Sequence, residues 1–277
     1  MSNSAQSVKD KLKNISREKN VDFNSVMRFY MYDRFVERLS KSKYKDNFIL
    51  KGGFYLSKLF GLDNRSTMDI DTAIRKTEFT EENLIVMINE IISIDVGDNV
   101  KFKIEKTELI REEDEYGGLR ITINFMLENI KDKFHIDLAT GDPIYPRPDN
   151  YKYESLIGDE IYKVWSYNLE TILAEKIETI LSKLETSSRM KDYYDIYLIY
   201  KFKFDTINKE KFRGSVEKTF KKRKFDADLM TNLSIVKESK VLRERWLSYS
   251  RKNSYARDVE FEETLECLEK LIDILYI

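Results

Sequence analysis

The chain has 277 residues, of which 42% are hydrophobic, 35% are charged and one, Cys267, is a cysteine. This composition predicts one large or two ordinary globular domains with a charged, helix-rich surface, and it excludes an intrachain disulfide and a membrane span of ~18 apolar residues. The net charge of −1 argues against nucleic-acid binding by the whole molecule, and an N-terminus without an apolar signal core predicts a cytoplasmic location.

Helices are predicted over residues 4–44. The strongest of them runs from Asn24 to Leu39, where apolar residues recur every three or four positions. A short apolar strand, 48–50, then leads into Lys51-Gly52-Gly53 and a helix-sized segment that ends near Phe60. Glycines at such a turn let a phosphate approach the backbone amides at a helix N-terminus.

Two aspartates follow in a predicted strand, 69–74. Side chains alternate faces along a strand, so Asp69 and Asp71 point the same way while Ile70 points into the core. Mg²⁺ prefers oxygen ligands and is usually held by one or two carboxylates together with substrate phosphates. The stretch from Phe48 to Ile74 therefore predicts a metal-dependent phosphoryl or nucleotidyl transfer site, with an ordinary exposed strand face as the alternative.

The middle of the chain alternates one helix with several strands. A helix is predicted from Thr80, as its N-cap, to about Ile94, and three strands with alternating polarity follow it. The predicted strands are Val100–Leu109, Leu119–Phe125 and Phe134–Leu138. They predict a small mixed sheet with helices packed on it, within an α+β fold.

The polar face of the last predicted strand carries Asp137 and His135. Asp137 is a candidate third carboxylate, which would help to deprotonate an attacking hydroxyl; the alternative is that both side chains simply face solvent. His135 is the sole histidine, which excludes a multi-histidine zinc site.

All three prolines lie within residues 143–148, and the pattern beyond about residue 166 is helical. We therefore predict an N-terminal domain over 1–150, with its catalytic core at 48–140, and an all-helical C-terminal domain over 151–277.

Charged residues interrupt the apolar faces of two predicted C-terminal helices. Lys176 falls in the middle of the apolar stripe of the helix 169–184, and Asp192 and Asp195 share a face of the next helix with apolar residues. A buried charge is unfavourable by several kcal/mol unless it is paired. One interpretation is a structural ion pair between Lys176 and one of these aspartates. The other is that these helix faces line the same cleft as Asp69 and Asp71, where Lys176 would contact a nucleotide phosphate.

Four segments together resemble the AbiEii/AbiGii-type nucleotidyltransferases, toxins of abortive-infection, type IV toxin–antitoxin systems within the polymerase-β-like nucleotidyltransferase superfamily. The segments are L-K-G-G-x-x-L (50–56), R-S-T-M-D-I-D (65–71), A-E-K-I-E-T-I-L (174–181) and R-M-K-D-Y-Y-D-I (189–196). They occur in the order of the family and with suitable gaps. They span roughly residues 48–200.

The resemblance implies a polymerase-β-like domain followed by a helical domain that contributes to the active-site cleft. It implies metal binding by Asp69 and Asp71, with Asp137 as a candidate, and an active site that includes Thr67, Lys176 and Asp192. The nucleotide would be bound by Lys51, Gly52, Gly53, Arg65 and Lys176. It further implies Mg²⁺, a nucleoside triphosphate substrate, an RNA acceptor such as tRNA, a separately encoded antitoxin and a role against phage. Phe54 stands where the superfamily often has a serine after glycine, and Lys51 or Ser57 would have to replace that hydroxyl.

Three alternatives follow from the same sequence: an enzyme that nucleotidylates a protein, a catalytically silent nucleotide- or RNA-binding module, and a ribonuclease. The ribonuclease would need R-x-x-x-x-H, but Ile130 precedes His135 by five residues. The segment from Lys201 to Lys224 is rich in Lys and Arg with interleaved phenylalanines. It is either an RNA-binding face or a solvated helix with core aromatics.

Overall fold

The computed structural model describes residues 5–110 and 117–276. They form two compact units, one built from the residues up to Gly141 together with Asp149–Ser166, and the other from Asp142–Pro148 and the residues from Tyr167 onward. The elements of the first unit are α1 (Ala5–Glu18), α2 (Phe23–Lys41), β1 (Phe48–Leu50), α3 (Gly52–Phe60), β2 (Asp69–Ile74), α4 (Glu81–Ile92), β3 (Val100–Ile110), β4 (Gly118–Leu127), β5 (Ile130–Ala139), β6 (Asp149–Glu154) and β7 (Ile161–Ser166). Residue 4, the predicted start of the first helix, lies outside the described residues.

The strands form one seven-stranded sheet in the order β3-β4-β5-β2-β1-β7-β6. The pairs β2–β5 and β1–β7 are parallel, and the other neighbours are antiparallel. The sheet is therefore mixed, and the predicted α+β class is confirmed.

One face of the sheet is apolar and packs against α2. This helix is capped by the Asp22 side chain, which accepts a hydrogen bond from the Ser25 amide at 2.9 Å. At the centre of the core, the ring of Phe134 lies 5.2 Å from that of Tyr32 and 5.8 Å from that of Phe102, in edge-on arrangements. Because side chains alternate along β5, burying Phe134 and Ile136 places His135 and Asp137 on the opposite, polar face.

The division of the chain differs from the predicted boundary at residue 150. Residues 149–166 form β6 and β7, and β7 extends the sheet by pairing in parallel with β1. Tyr153, Tyr162 and Val164 are buried and alternate with exposed or partly exposed residues along these two strands. These two strands directly follow the proline-rich stretch, so the whole segment was interpreted as an extended connector.

The second unit consists of helices: α5 (Leu169–Lys183), α6 (Met190–Lys203), α7 (Lys209–Lys222), α8 (Leu229–Glu238), α9 (Lys240–Lys252) and α10 (Phe261–Asp273), with short 3₁₀ turns between some of them. The Asn168 side chain caps α5 by accepting a hydrogen bond from the Thr171 amide at 2.8 Å. Cys267 is buried in α10, and burial raises the pKa of its thiol to about 11, as expected for a packing residue. Within the described part of the chain, no helix has the length and apolar character needed to cross a membrane.

Candidate active site

The pairing of β2 with β5 brings the predicted carboxylates together within the first unit. In this parallel register Asp69 lies beside His135, and Asp71 lies beside Asp137. Residues in register on neighbouring strands share a face, so Asp69, Asp71 and Asp137 lie side by side on the polar face of the sheet. The alternation of each strand predicts which face these side chains occupy, and the register determines that they are neighbours.

Arg120 on β4 is a site residue that the sequence analysis missed. It is in register with Asp137, and its Nε and Nη2 atoms donate hydrogen bonds of 2.7 Å to the two carboxylate oxygens of Asp137. Its Nη2 atom also lies 3.6 Å from Oδ2 of Asp69. The hydrogen bonds to Asp137 raise the pKa of Arg120. Strand alternation places Arg120 on the polar face, but nothing in the sequence says which carboxylate it faces.

The site carries more negative charge than its own cation compensates. The pKa of Asp69 is raised, first because its carboxylate is partly buried and second because Asp137 is close, although Arg120 opposes both effects. Two neighbouring carboxylates on one strand face suit a hard divalent cation, so Asp69 and Asp71 fit Mg²⁺ by their chemistry. Over residues 5–110 and 117–276, no group of three or more acidic, histidine or cysteine side chains is arranged as a metal cluster. Asp137 is instead paired with Arg120.

The glycine pair at the start of α3 positions Asp71. The Gly53 amide donates a hydrogen bond of 3.1 Å to Oδ2 of Asp71, so the carboxylate lies at the positive end of the helix. Gly52 has a φ of +60°, and a Cβ atom added there would lie 2.6 Å from Oδ2 of Asp71. Both glycines therefore allow β2 to approach the helix closely. The backbone amide that we expected to bind a phosphate already binds this aspartate.

We expect Gly52→Ala to lower the free energy of unfolding by about 1–3 kcal/mol, because it places a side chain at positive φ, and to weaken Mn²⁺ binding by displacing Asp71. Gly97→Ala is the matched control, since Gly97 has a φ of +72° and no atom within 4 Å of an added Cβ. Both variants place a side chain at positive φ, but only the alanine at position 52 would collide with Asp71. Urea unfolding of both variants measures the loss of stability, and Mn²⁺ titration of both measures the effect of displacing Asp71. Equal Mn²⁺ affinity in the two variants would contradict the role of Gly52.

The residues around the glycine turn are tightly packed. A Cβ atom at Gly53 would lie 2.9 Å from Nη2 of Arg65 and 3.3 Å from Oγ1 of Thr67. Arg65 is buried and donates to the Ser66 carbonyl, and the Thr67 hydroxyl lies 3.3 Å from the Asp69 carbonyl, to which it donates. These contacts fix the loop that leads into β2.

The two residues suggested to replace the missing loop hydroxyl are both buried. Ser57 is 1% exposed, and its hydroxyl donates to the Gly53 carbonyl at 2.7 Å. Lys51 is 5% exposed. Ser57 therefore supports the first turn of α3 from within and does not present its hydroxyl to a ligand.

Tyr32 of α2 supports the other end of the same loop and was not identified from the sequence. Its hydroxyl donates a hydrogen bond of 2.7 Å to the carbonyl of Met68, the residue directly before Asp69. Burial raises the pKa of this hydroxyl. It is therefore a neutral donor at physiological pH, and it connects the core helix to the start of β2.

Lys176 and Asp192 lie in the second unit and form a buried charge cluster. The Lys176 ammonium group is 2.7 Å from Oδ1 of Asp192 and 2.7 Å from Oδ2 of Asp195, and Arg189 is 2.9 Å from the second oxygen of Asp192. Burial alone would lower the pKa of Lys176 and raise that of Asp192, but their mutual attraction outweighs it and shifts both the other way. The ion pairs expected from helical spacing are thus present, and Lys176 pairs with both aspartates.

Comparisons with known proteins extend the resemblance seen in the motifs. The sequence model of the family described as nucleotidyl transferase AbiEii toxin, type IV TA system, matches residues 34–267. Among solved structures, JHP933 from Helicobacter pylori aligns with a TM-score of 0.51 and 14% identity over 89% of each chain, which supports the fold. A candidate nucleotidyltransferase from H. pylori aligns with a TM-score of 0.45 and 16% identity over 89% of this chain and 92% of that chain. No curated protein matches the sequence.

The family match includes residues of both units, and it contains the acidic face of the sheet, the glycine turn and the buried lysine cluster. It also covers Arg120 and the sheet-containing unit from residue 34, within α2, onward. The chain therefore belongs to the AbiEii family of nucleotidyl transferase toxins of type IV toxin–antitoxin systems, and it is a nucleotidyltransferase.

Proposed function

We propose that this protein transfers a nucleoside monophosphate from a nucleoside triphosphate to an RNA acceptor, with tRNA as the first candidate, in a reaction that depends on Mg²⁺. The modification would block growth during phage infection, and a separately encoded antitoxin would restrain it in the cytoplasm. The observation that carries the proposal is the juxtaposition of Asp69 and Asp71 with Asp137, beside the N-terminus of α3, in a chain of this family.

The proposed roles follow from the positions of the side chains. Asp69 and Asp71 would hold Mg²⁺, which supplies charge neutralisation at the phosphate oxygens when it is bound. The Gly53 amide holds Asp71 in place, and Asp137 is the proposed third carboxylate near the attacking hydroxyl. From the family resemblance, Lys176 is proposed to contact a phosphate.

The acceptor is proposed to bind the basic segment from Lys201 to Lys224. In the structure Lys211, Lys218 and Lys221 of α7 are exposed while Phe212 is buried, so this face presents charge to solvent and its aromatic residue belongs to the core. A row of exposed lysines suits the phosphate backbone of RNA.

Arg223, in the same segment, has a structural role. Its guanidinium lies 2.6 Å from a carboxylate oxygen of Glu178, 3.4 Å from Asp142 and 3.7 Å from Glu175. Reversing its charge would place a fourth carboxylate in this group. A test of RNA binding must therefore leave Arg223 unchanged.

Lys218→Glu/Lys221→Glu is expected to weaken RNA binding and to reduce its salt dependence. Each phosphate that the protein neutralises on a single strand contributes about −0.7 to the slope of log K against the logarithm of the salt concentration. Fluorescence anisotropy with labelled tRNA at several salt concentrations measures both effects. Lys101→Glu/Lys103→Glu, at exposed positions of β3, is the charge-matched control. If the two double variants bind tRNA equally, the α7 face has no part in acceptor binding.

The reaction is tested by incubating the protein with tRNA, Mg²⁺ and each α-³²P-labelled triphosphate in turn. We expect label to enter RNA with one or more triphosphates, to be removed by RNase and to be absent with EDTA. The same incubation with cell lysate tests for a protein acceptor. Label that protease removes but RNase does not would support such an acceptor. Failure to release pyrophosphate with any triphosphate, tRNA or lysate would support the silent binding module.

A further inference from the structure

Arg120 lies in a row of charged side chains that crosses the polar face of the sheet. Its neighbours in register are Glu108 on β3 and Asp137 on β5, and Asp71 on β2 follows Asp137. The row therefore reads Glu108, Arg120, Asp137, Asp71 across four adjacent strands. Arg120 is the cation of this row, and its Nη2 atom lies 3.6 Å from Oδ2 of Asp69, one of the two proposed metal ligands.

The contact between Arg120 and Asp137 is bidentate. Nε donates to Oδ1 and Nη2 donates to Oδ2, each at 2.7 Å. Such a bidentate, charge-assisted pair is stronger than a single neutral hydrogen bond and fixes the orientation of the carboxylate. Both oxygens of Asp137 therefore have a donor, whereas the Gly53 amide donates to one oxygen of Asp71 and the guanidinium lies 3.6 Å from Oδ2 of Asp69.

A divalent cation bound by three carboxylates would have to compete with this guanidinium. Nη2 contacts Asp137 directly and is within 4 Å of Asp69, so a cation bridging these two carboxylates would meet a positive charge at close range. Like charges repel strongly at such distances, even in a partly solvated site. While the pair persists, only Asp69 and Asp71 are available to a cation.

We propose that Arg120 is a positioning residue that withholds Asp137 from the divalent cation in the nucleotide-free protein, so that Asp69 and Asp71 alone bind the cation, and bind it weakly. This inference rests on the proposed function, because it concerns the metal site of that reaction. Arg120 is about one-third exposed at its side chain, which leaves the guanidinium open to an anionic ligand. Planar guanidinium groups match phosphate as well as carboxylate, so the triphosphate is the anion that would release Asp137.

The test is a Mn²⁺ titration of the nucleotide-free protein, with free Mn²⁺ measured by its electron paramagnetic resonance signal. Arg120→Gln is expected to tighten Mn²⁺ binding about tenfold or more, because it removes the competing charge and frees Asp137. Arg120→Lys keeps the positive charge but cannot form the bidentate contact with Asp137. It is expected to tighten Mn²⁺ binding about threefold. In Arg120→Gln/Asp137→Asn, the affinity is expected to return to the wild-type value.

Two results would overturn the inference. One is unchanged or weaker Mn²⁺ binding in Arg120→Gln. If circular dichroism shows that Arg120→Gln is unfolded and Arg120→Lys is folded, the same result in Arg120→Lys would overturn the inference. The other is equally tight binding in Arg120→Gln and Arg120→Gln/Asp137→Asn, which would mean that charge removal acts without Asp137.

Asp69→Asn separates this inference from the proposed function. Loss of Mn²⁺ binding in Asp69→Asn, together with no tightening in Arg120→Gln, would reject only the role of Arg120. Unchanged Mn²⁺ binding in Asp69→Asn would reject the metal site, and with it both proposals.

Discussion

Replacing Asp69 with Asn is expected to reduce nucleotide transfer by at least about 10²–10³-fold, the loss typical of removing one group that stabilises the charge of a transition state. The carboxylate at this position is a proposed metal ligand on the polar face of β2, and an amide of the same shape binds Mg²⁺ far less well. The folded protein should tolerate the change. Partial burial and, second, the nearby Asp137 raise the pKa of Asp69, so a neutral side chain relieves both the desolvation and the repulsion.

Transfer of label from an α-³²P triphosphate measures the activity of Asp69→Asn, and thermal unfolding measures its stability. Glu105→Gln is the control, because Glu105 is a partly exposed carboxylate of the same sheet whose partner is Lys133. It should keep full activity. Near-normal transfer by folded Asp69→Asn would show that this aspartate does not take part in the reaction.

Replacing Lys176 with Ala is expected to lower the free energy of unfolding of the helical unit by about 3–5 kcal/mol, because it leaves two buried carboxylates without their shared cation. Asp192 and Asp195 are 1% and 0% exposed, so water cannot replace the ammonium group. Urea unfolding followed by circular dichroism measures the loss. A decrease below about 1 kcal/mol, the scale of a surface ion pair, would contradict the structural role of the cluster.

The pH dependence of this loss has a definite sign. The pKa of Lys176 is raised in the folded protein, so its contribution is complete below the unfolded value of about 10.4 and is lost as pH rises through the folded value. The pKa of Asp192 is lowered, so its contribution is present above about 3.9 and is lost as pH falls through the folded value. The contribution of the Lys176–Asp192 pair to the stability of the wild type should therefore be nearly constant from about pH 4 to pH 10 and decrease outside that range.

Asp192 and Asp195 also provide a matched pair that separates a structural from a catalytic role. Both carboxylates lie 2.7 Å from the Lys176 ammonium group, but the family resemblance assigns a role only to Asp192. If the cluster is purely structural, Asp192→Asn and Asp195→Asn should reduce transfer in proportion to their loss of stability. If Asp192 takes part in the reaction, its variant should lose far more activity than Asp195→Asn at similar stability.

The order of elements could be predicted well from local patterns. The strand Asp69–Ile74 begins and ends at the predicted residues, and Thr80 caps α4 as its sequence suggested. These features depend on alternation and capping, which act over a few residues. The β6–β7 hairpin was missed because it follows the proline-rich connector and joins the sheet only through pairing of β7 with the distant strand β1.

The sequence alone determined the family, the faces of Asp69 and Asp71, and the presence of a buried charge at Lys176, because periodicity and motif order are local properties of the chain. The tertiary structure decided which groups are in contact. Asp137 lies beside Asp71, the Gly53 amide donates a hydrogen bond to Asp71, and Arg120 donates hydrogen bonds to Asp137. These contacts depend on strand register and on the close approach of a helix to a strand. Both are set by packing between segments that are far apart in the chain, so no local pattern encodes them.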